Sequence, residues 1–169
     1  MKTFLKIYPL CQRTKVINLY GEISTITLCR TTGSKNHTYF FFESEGKQGK
    51  IIKIVEFSPY KGNRWNLGFG DWQNGKINDS IITNNHDAMM VIRTVSKITL
   101  HFFEHYPDRI VYINPVDEKR KKLYNLVFKR HFLEISPIFD VIGYINEELE
   151  TYSIEKNYDS FEIKLKIKT

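Results

Sequence analysis

At 169 residues, with 41% hydrophobic and 14% aromatic side chains, the chain is long enough for one domain with a real core and too apolar for a disordered tail. No stretch approaches the ~20 uninterrupted apolar residues of a membrane helix, and a start broken by Lys6 and Pro9 is too short for a signal-peptide core, so a cytoplasmic protein without membrane partners is expected. A net charge of +6 and a pI near 9.2 suit polyanions, either nucleic acid or a phosphorylated ligand.

Residues 1–35 read as an N-terminal extension with strand-like content at 16–20 and 23–28, closed by the loop signal Gly33, Ser34, Lys35 and Asn36. Cys11 and Cys29 within it form neither a metal spacing nor a disulfide framework, and reduced thiols are expected. A single domain then runs over 36–169. Residues 39–43 and 51–57 are β-rich and flank Gly46 and Gly49, a hairpin signal. A second hairpin follows from 65–71 through the turn Asn74–Gly75 to 77–83.

Asn84, Asn85, His86 and Asp87 are the short polar residues that cap a helix, and Ala88, Val91, Ile92, Val95, Phe102, Phe103 and Tyr106 form its apolar face before Pro107 ends it. After a short strand at 110–113, Asn114 as cap and Pro115 at the first helical position predict a second helix. Residues 138–145 read as a strand. The run 161–168 alternates apolar and charged residues, as a strand with one wet face does, and its lysines suit an edge. The sum is an α+β fold: a mostly antiparallel sheet carrying two helices, in the order β-β-β-β-α-β-α-β-β after a poorly defined N-terminal segment.

The second helix holds the candidate site. At 100° per residue, Val116, Arg120, Leu123, Tyr124, Val127 and His131 share about a third of the wheel. Polar groups on an inward stripe cost free energy unless paired. Arg120 is therefore a candidate to hold a phosphate or carboxylate, with Tyr124 and His131 as catalytic proton carriers. Lys119, Arg130, Asn66 and Asn85 are further candidate ligand contacts. The same stripe is explained more simply if Arg120 bonds a carboxylate or carbonyl, Tyr124 packs its ring and His131 satisfies the terminal carbonyls. His101, Glu104 and His105 fit H-x-x-E-H, the pattern of inverted zinc proteases. They stand in the last turn before Pro107, on a polar flank near Lys97, where the helix dipole already accounts for histidines. No metal and no cofactor are expected.

From about residue 38 to 168 the chain resembles an uncharacterised family of small bacterial proteins of unknown function. The residues that carry this are S-E-G-x-x-G-K-I at 44–51, N-L-G-F-G-D at 66–71, T-N-N at 83–85 and R-K-K-L-Y at 120–124. More distantly, the element order and the strand–N-x-x-A-x-x-L-Y-like run at 113–124 are similar to GCN5-like N-acetyltransferases. That resemblance implies that Tyr124 protonates a departing thiolate. Residues 83–88 lack the glycine turn that meets the cofactor pyrophosphate there and carry Asp87 in its place.

Three functions follow. The first is a polyanion-binding domain, most naturally for nucleic acid and in a toxin–antitoxin or defence setting, using the basic residues Lys119, Arg120, Lys121, Lys122, Lys129 and Arg130. Its stacking aromatics would be Tyr39, Phe40, Phe41, Phe42, Trp65 and Trp72. The second is a divergent acyltransferase or other small-molecule enzyme using Tyr124. The third is a protein-interaction module that docks through a strand edge or the acidic segment 147–159.

Overall fold

A computed structural model describes residues 14–17, 23–26, 31–78 and 88–166. Thr14–Ile17 (β1) and Ile23–Ile26 (β2) pair antiparallel as a two-stranded ribbon. Then come Thr31–Gly33 (β3), Tyr39–Gly46 (β4), Gly49–Lys61 (β5), Arg64–Gln73 (β6) and Lys76–Asn78 (β7). Helix Ala88–His105 (α1), strand Ile110–Ile113 (β8) and helix Glu118–Ile135 (α2) follow. Phe139–Ile145 (β9), Glu148–Thr151 (β10) and Ser160–Leu165 (β11) complete the order. The class is α+β, two helices with a mixed and mostly antiparallel sheet, as the sequence pattern predicts. Among the described strands β6 and β8 run parallel, from Arg64↔Ile110 to Asn66↔Tyr112.

The chain divides into two compact units. The first holds residues up to Glu56 and from Gly68 to His105. Within it β4 pairs with β3 and with β5, the latter from Tyr39↔Glu56 to Gly46↔Gly49. The β4 alternation puts Phe40, Phe42 and Ser44 on the buried side. Opposite Phe42 in the ladder stands Lys53, and its ammonium makes an ion pair with the buried Asp71 of β6. Gln73 is followed by the positive-φ pair Asn74 and Gly75, the backbone a tight hairpin turn requires, so β6 and β7 join as predicted.

On α1 the buried residues are Val91, Thr94, Ile98, Thr99, Phe102 and Phe103. The two threonines are absent from the apolar face read off the sequence because they are polar. Burial is cheap for them, since Thr94 Oγ1 donates to Met90 O at 2.9 Å and Thr99 Oγ1 to Val95 O at 2.9 Å.

The second unit holds Phe57 to Leu67 and Tyr106 onward. Its strands lie in the order β10-β9-β11-β8-β6. The clean period-2 strand β11 is central, bonded to β8 and β9 on its two sides, and Glu162 on its expected wet face is buried. The reason is Arg64, whose Nε donates to Glu162 Oε1 at 2.6 Å. The opposite face of β11 is apolar and takes α2, with Phe128 stacked on Phe161 at 4.3 Å. Tyr158 fills the space above Gly143, where a Cβ would come 2.0 Å from its ring.

Tyr152 lies in the same aromatic cluster, 4.9 Å from Phe132 and 5.2 Å from Tyr158 between ring centres. Its buried hydroxyl has no hydrogen-bond partner among the described residues. Burial, with a smaller contribution from Tyr158, pushes its pKa up to about 12. The unfolded phenol titrates near 10, so ionisation of Tyr152 costs the fold nothing well below about pH 10 and destabilises it increasingly as pH rises towards 12. Tyr152→Phe should abolish that contribution to the alkaline loss. It should also raise stability at neutral pH by about 1 kcal/mol, since it removes an unpaired buried group. Urea unfolding at pH 7 and at pH 11 measures both effects.

Candidate functional site

Helix α2 begins later than Asn114 and Pro115 predict. Asp117 is its cap, accepting from the backbone N–H of Arg120 at 2.7 Å. The same carboxylate also takes the Arg120 guanidinium. Two bonds from one acceptor at the first turn outcompete a cap three residues earlier. Asp117 is held below its ordinary pKa, chiefly by that backbone N–H and further by the guanidinium, against the opposing effect of burial.

The buried residues of α2 are Arg120, Asn125 and Phe128. The inward face is thus rotated from the stripe read on the wheel. Val116 lies outside the helix and is exposed, and Leu123, Tyr124, Val127 and His131 are half-buried. His131 Nδ1 meets Glu134 Oε2 at 3.3 Å. Arg120 is engaged by the cap carboxylate of Asp117, and His131 by Glu134 of α2. Lys119 and Arg130 are exposed on the outer side. Asn66 belongs to β6, and Asn85 lies outside the described residues.

Asn125 carried no signal as a functional residue, but it joins α2 to the segment before β11. Its Nδ2 donates to Tyr158 O at 2.8 Å and its Oδ1 accepts from Tyr158 N–H at 2.8 Å. A side-chain amide here completes a backbone peptide as a neighbouring strand would.

A polar network occupies the sheet face away from α2. Arg64 and Glu162 are its centre, and burial raises the Tyr144 pKa, with Glu162 adding to it. Tyr112 donates to Ser160 Oγ at 3.0 Å and stacks on the exposed Tyr60 with ring centres 5.7 Å apart. Asn66, level with Tyr112 in the ladder, belongs to this face. Each charge in it is already matched. The aromatics expected to stack on bases are mostly packed: Phe40 and Phe42 are core, Phe41 is edge-on to Trp72, and Trp65 stacks on Tyr106. Hydrophobic burial claims aromatic strands before any ligand can.

The first unit contains a second grouping. The β3–β4 turn is fixed by Ser34, whose Oγ accepts from the N–H groups of Thr38 and Tyr39 at 3.2 and 3.1 Å. Ser34 O accepts from His37 N–H at 3.0 Å, and His37 sits at φ 54. This brings its ring to the end of α1. His37 Nδ1 lies 3.1 Å from His101 Nε2, and the His37 and His105 rings stack with centres 3.6 Å apart. Burial lowers the His37 pKa, and the neighbouring His105 and His101 lower it further. His101 is half-buried and edge-on to Phe40, not simply on a polar flank. The i,i+4 spacing of His101 and His105 was legible in sequence; the third member, 64 residues before His101, was not.

No described helix is long and apolar enough to cross a membrane. No curated protein and no solved structure matches the chain. A family model matches residues 30–166, which takes in the four runs that carried the resemblance and also β3. The chain belongs to this family of unknown function, DUF6934.

Proposed function

We propose that the protein binds a polyanion, most naturally nucleic acid, through the outer face of α2. One observation carries this reading. Lys119, Lys122 and Arg130 are exposed there and Lys129 is half-buried at its margin, with no carboxylate in ion-pair reach of any of the four among the described residues. The inner cations are consumed instead: Arg120 by Asp117, and Lys121 by Asp159. The four free cations lie between residues 119 and 130, about 16 Å of helix, enough to follow several phosphates of one strand.

Charge-only contact predicts a specific salt response. Four neutralised phosphates give a slope of log K on log salt of about −3, so affinity for a short mixed-sequence RNA should fall roughly 50-fold between about 50 and 200 mM salt. In Lys122→Ala/Lys129→Ala the slope should shrink by about half. Fluorescence anisotropy reads both. Binding indifferent to salt, or a slope unchanged in the double variant, refutes the proposal.

A second reading rests on Leu126 and Leu133, which are 52% and 81% exposed and lie on the same face. They would suit an acidic amphipathic partner helix, and Leu126→Ser/Leu133→Ser should then weaken binding more than the lysine changes do.

A further inference from the structure

We propose that His37, His101 and His105 form a binding site for a divalent first-row transition metal, with zinc as the natural occupant. Their ligand nitrogens lie within 4.8 Å of one another. In a tetrahedral zinc site with Zn–N near 2.0–2.1 Å, ligand nitrogens stand about 3.4 Å apart. The 3.1 Å between His37 Nδ1 and His101 Nε2 is already near that spacing, and small ring rotations bring in the third.

The tautomers support the same assignment. His105 Nδ1 is 3.0 Å from the backbone carbonyl of His101, which can only accept, so this nitrogen carries the hydrogen and Nε2 keeps its lone pair. His101 Nδ1 is 3.0 Å from Glu104 Oε2, and a carboxylate there likewise places the hydrogen on Nδ1. His101 Nε2 is thereby left facing His37. A carboxylate behind a ligating imidazole is the usual outer partner of a metal site: it orients the ring and raises its basicity. Glu104 is thus a positioning residue, not the base that H-x-x-E-H suggests.

Two backbone devices fix the ligands. Successive turns of α1 present His101 and His105, and the Ser34-bonded turn presents His37. The donor set is three neutral imidazoles with no thiolate. That composition selects zinc, cobalt, nickel or copper over magnesium or calcium. Three protein ligands leave a fourth coordination position for water or an exogenous donor, and His105 at the exposed end of α1 leaves a path to it.

The test is titration of the chelator-treated full chain with Zn2+ by calorimetry and with Co2+ by visible absorption. Expected are one equivalent per chain, a tetrahedral cobalt spectrum and a zinc-dependent rise in melting temperature. His105→Ala, at an exposed position, and His37→Ala should each weaken zinc binding at least 100-fold. Glu104→Gln should weaken it about 10-fold, and His131→Ala should change nothing. Melting in chelator confirms that each variant folds; if His37→Ala does not, His37→Gln replaces it. No saturable binding in the wild type, or affinity unchanged in folded His37 and His105 variants, overturns the proposal.

Discussion

Lys53→Met should destabilise the protein by about 3–5 kcal/mol, because it leaves the Asp71 carboxylate buried without its ammonium. Lys53 is 5% and Asp71 2% exposed, so water cannot replace the lost partner. An exposed pair such as Lys50 with Glu43 contributes far less by the same chemistry, because water screens it and can replace either partner. Burial makes the pair costly to break without making it favourable overall. Replacing both partners, as Lys53→Met/Asp71→Leu, should recover most of the loss, since an apolar pair of similar volume carries no desolvation penalty. Urea unfolding of the two single variants and the double closes the cycle. A Lys53→Met loss below about 1 kcal/mol, or a double variant worse than both singles, would show that the pair does not act as a buried ion couple.

Alternation and turn chemistry made most of the strands legible. Gly49, Asn74 and Gly75 marked their turns because few other residues accept positive φ cheaply. Strand β10 was missed because its turn, Asn146–Glu147, places a glutamate at φ 70, which no turn preference signals. The face assignment of α2 failed for a related reason. Its inner side carries Arg120 and Asn125, so apolar periodicity pointed to a neighbouring stripe while bonding decided the true one. The same limit applied to β11: Glu162 reads as a solvated position until Arg64, 98 residues earlier, is placed beside it. The histidine site repeats the pattern. Spacing on one helix is visible in sequence, whereas a ligand from a distant turn is not. Apart from the β10 turn and the local Arg120–Asp117 pair, what sequence hid was polar contact across long separation, the kind of information that hydrophobic periodicity does not carry.

Asn125 is the sharpest instance, and its removal should be nearly as damaging as breaking the Lys53 pair. Asn125→Ala leaves the N–H and C=O of Tyr158 without their partners in a buried setting. At about 1–3 kcal/mol for each of the two orphaned groups, the expected loss is about 2–6 kcal/mol. Asn125→Asp separates this account from simple loss of packing. Its shape is the same and one oxygen can still accept from Tyr158 N–H. The other oxygen then faces the carbonyls of Tyr158 and Lys121, to which Nδ2 now donates. The ionised variant should therefore be at least as unstable as Ala. Protonation restores a donor, so the aspartic acid is favoured in the fold and its folded pKa lies above the unfolded value near 3.9. Its favourable contribution is present below that value and lost as pH rises through the folded pKa. The deficit of Asn125→Asp relative to wild type should thus shrink on acidification, whereas that of Asn125→Ala should not. A loss confined to Asn125→Ala, with Asn125→Asp as stable as wild type at every pH, would mean that volume, not hydrogen bonding, ties α2 to Tyr158.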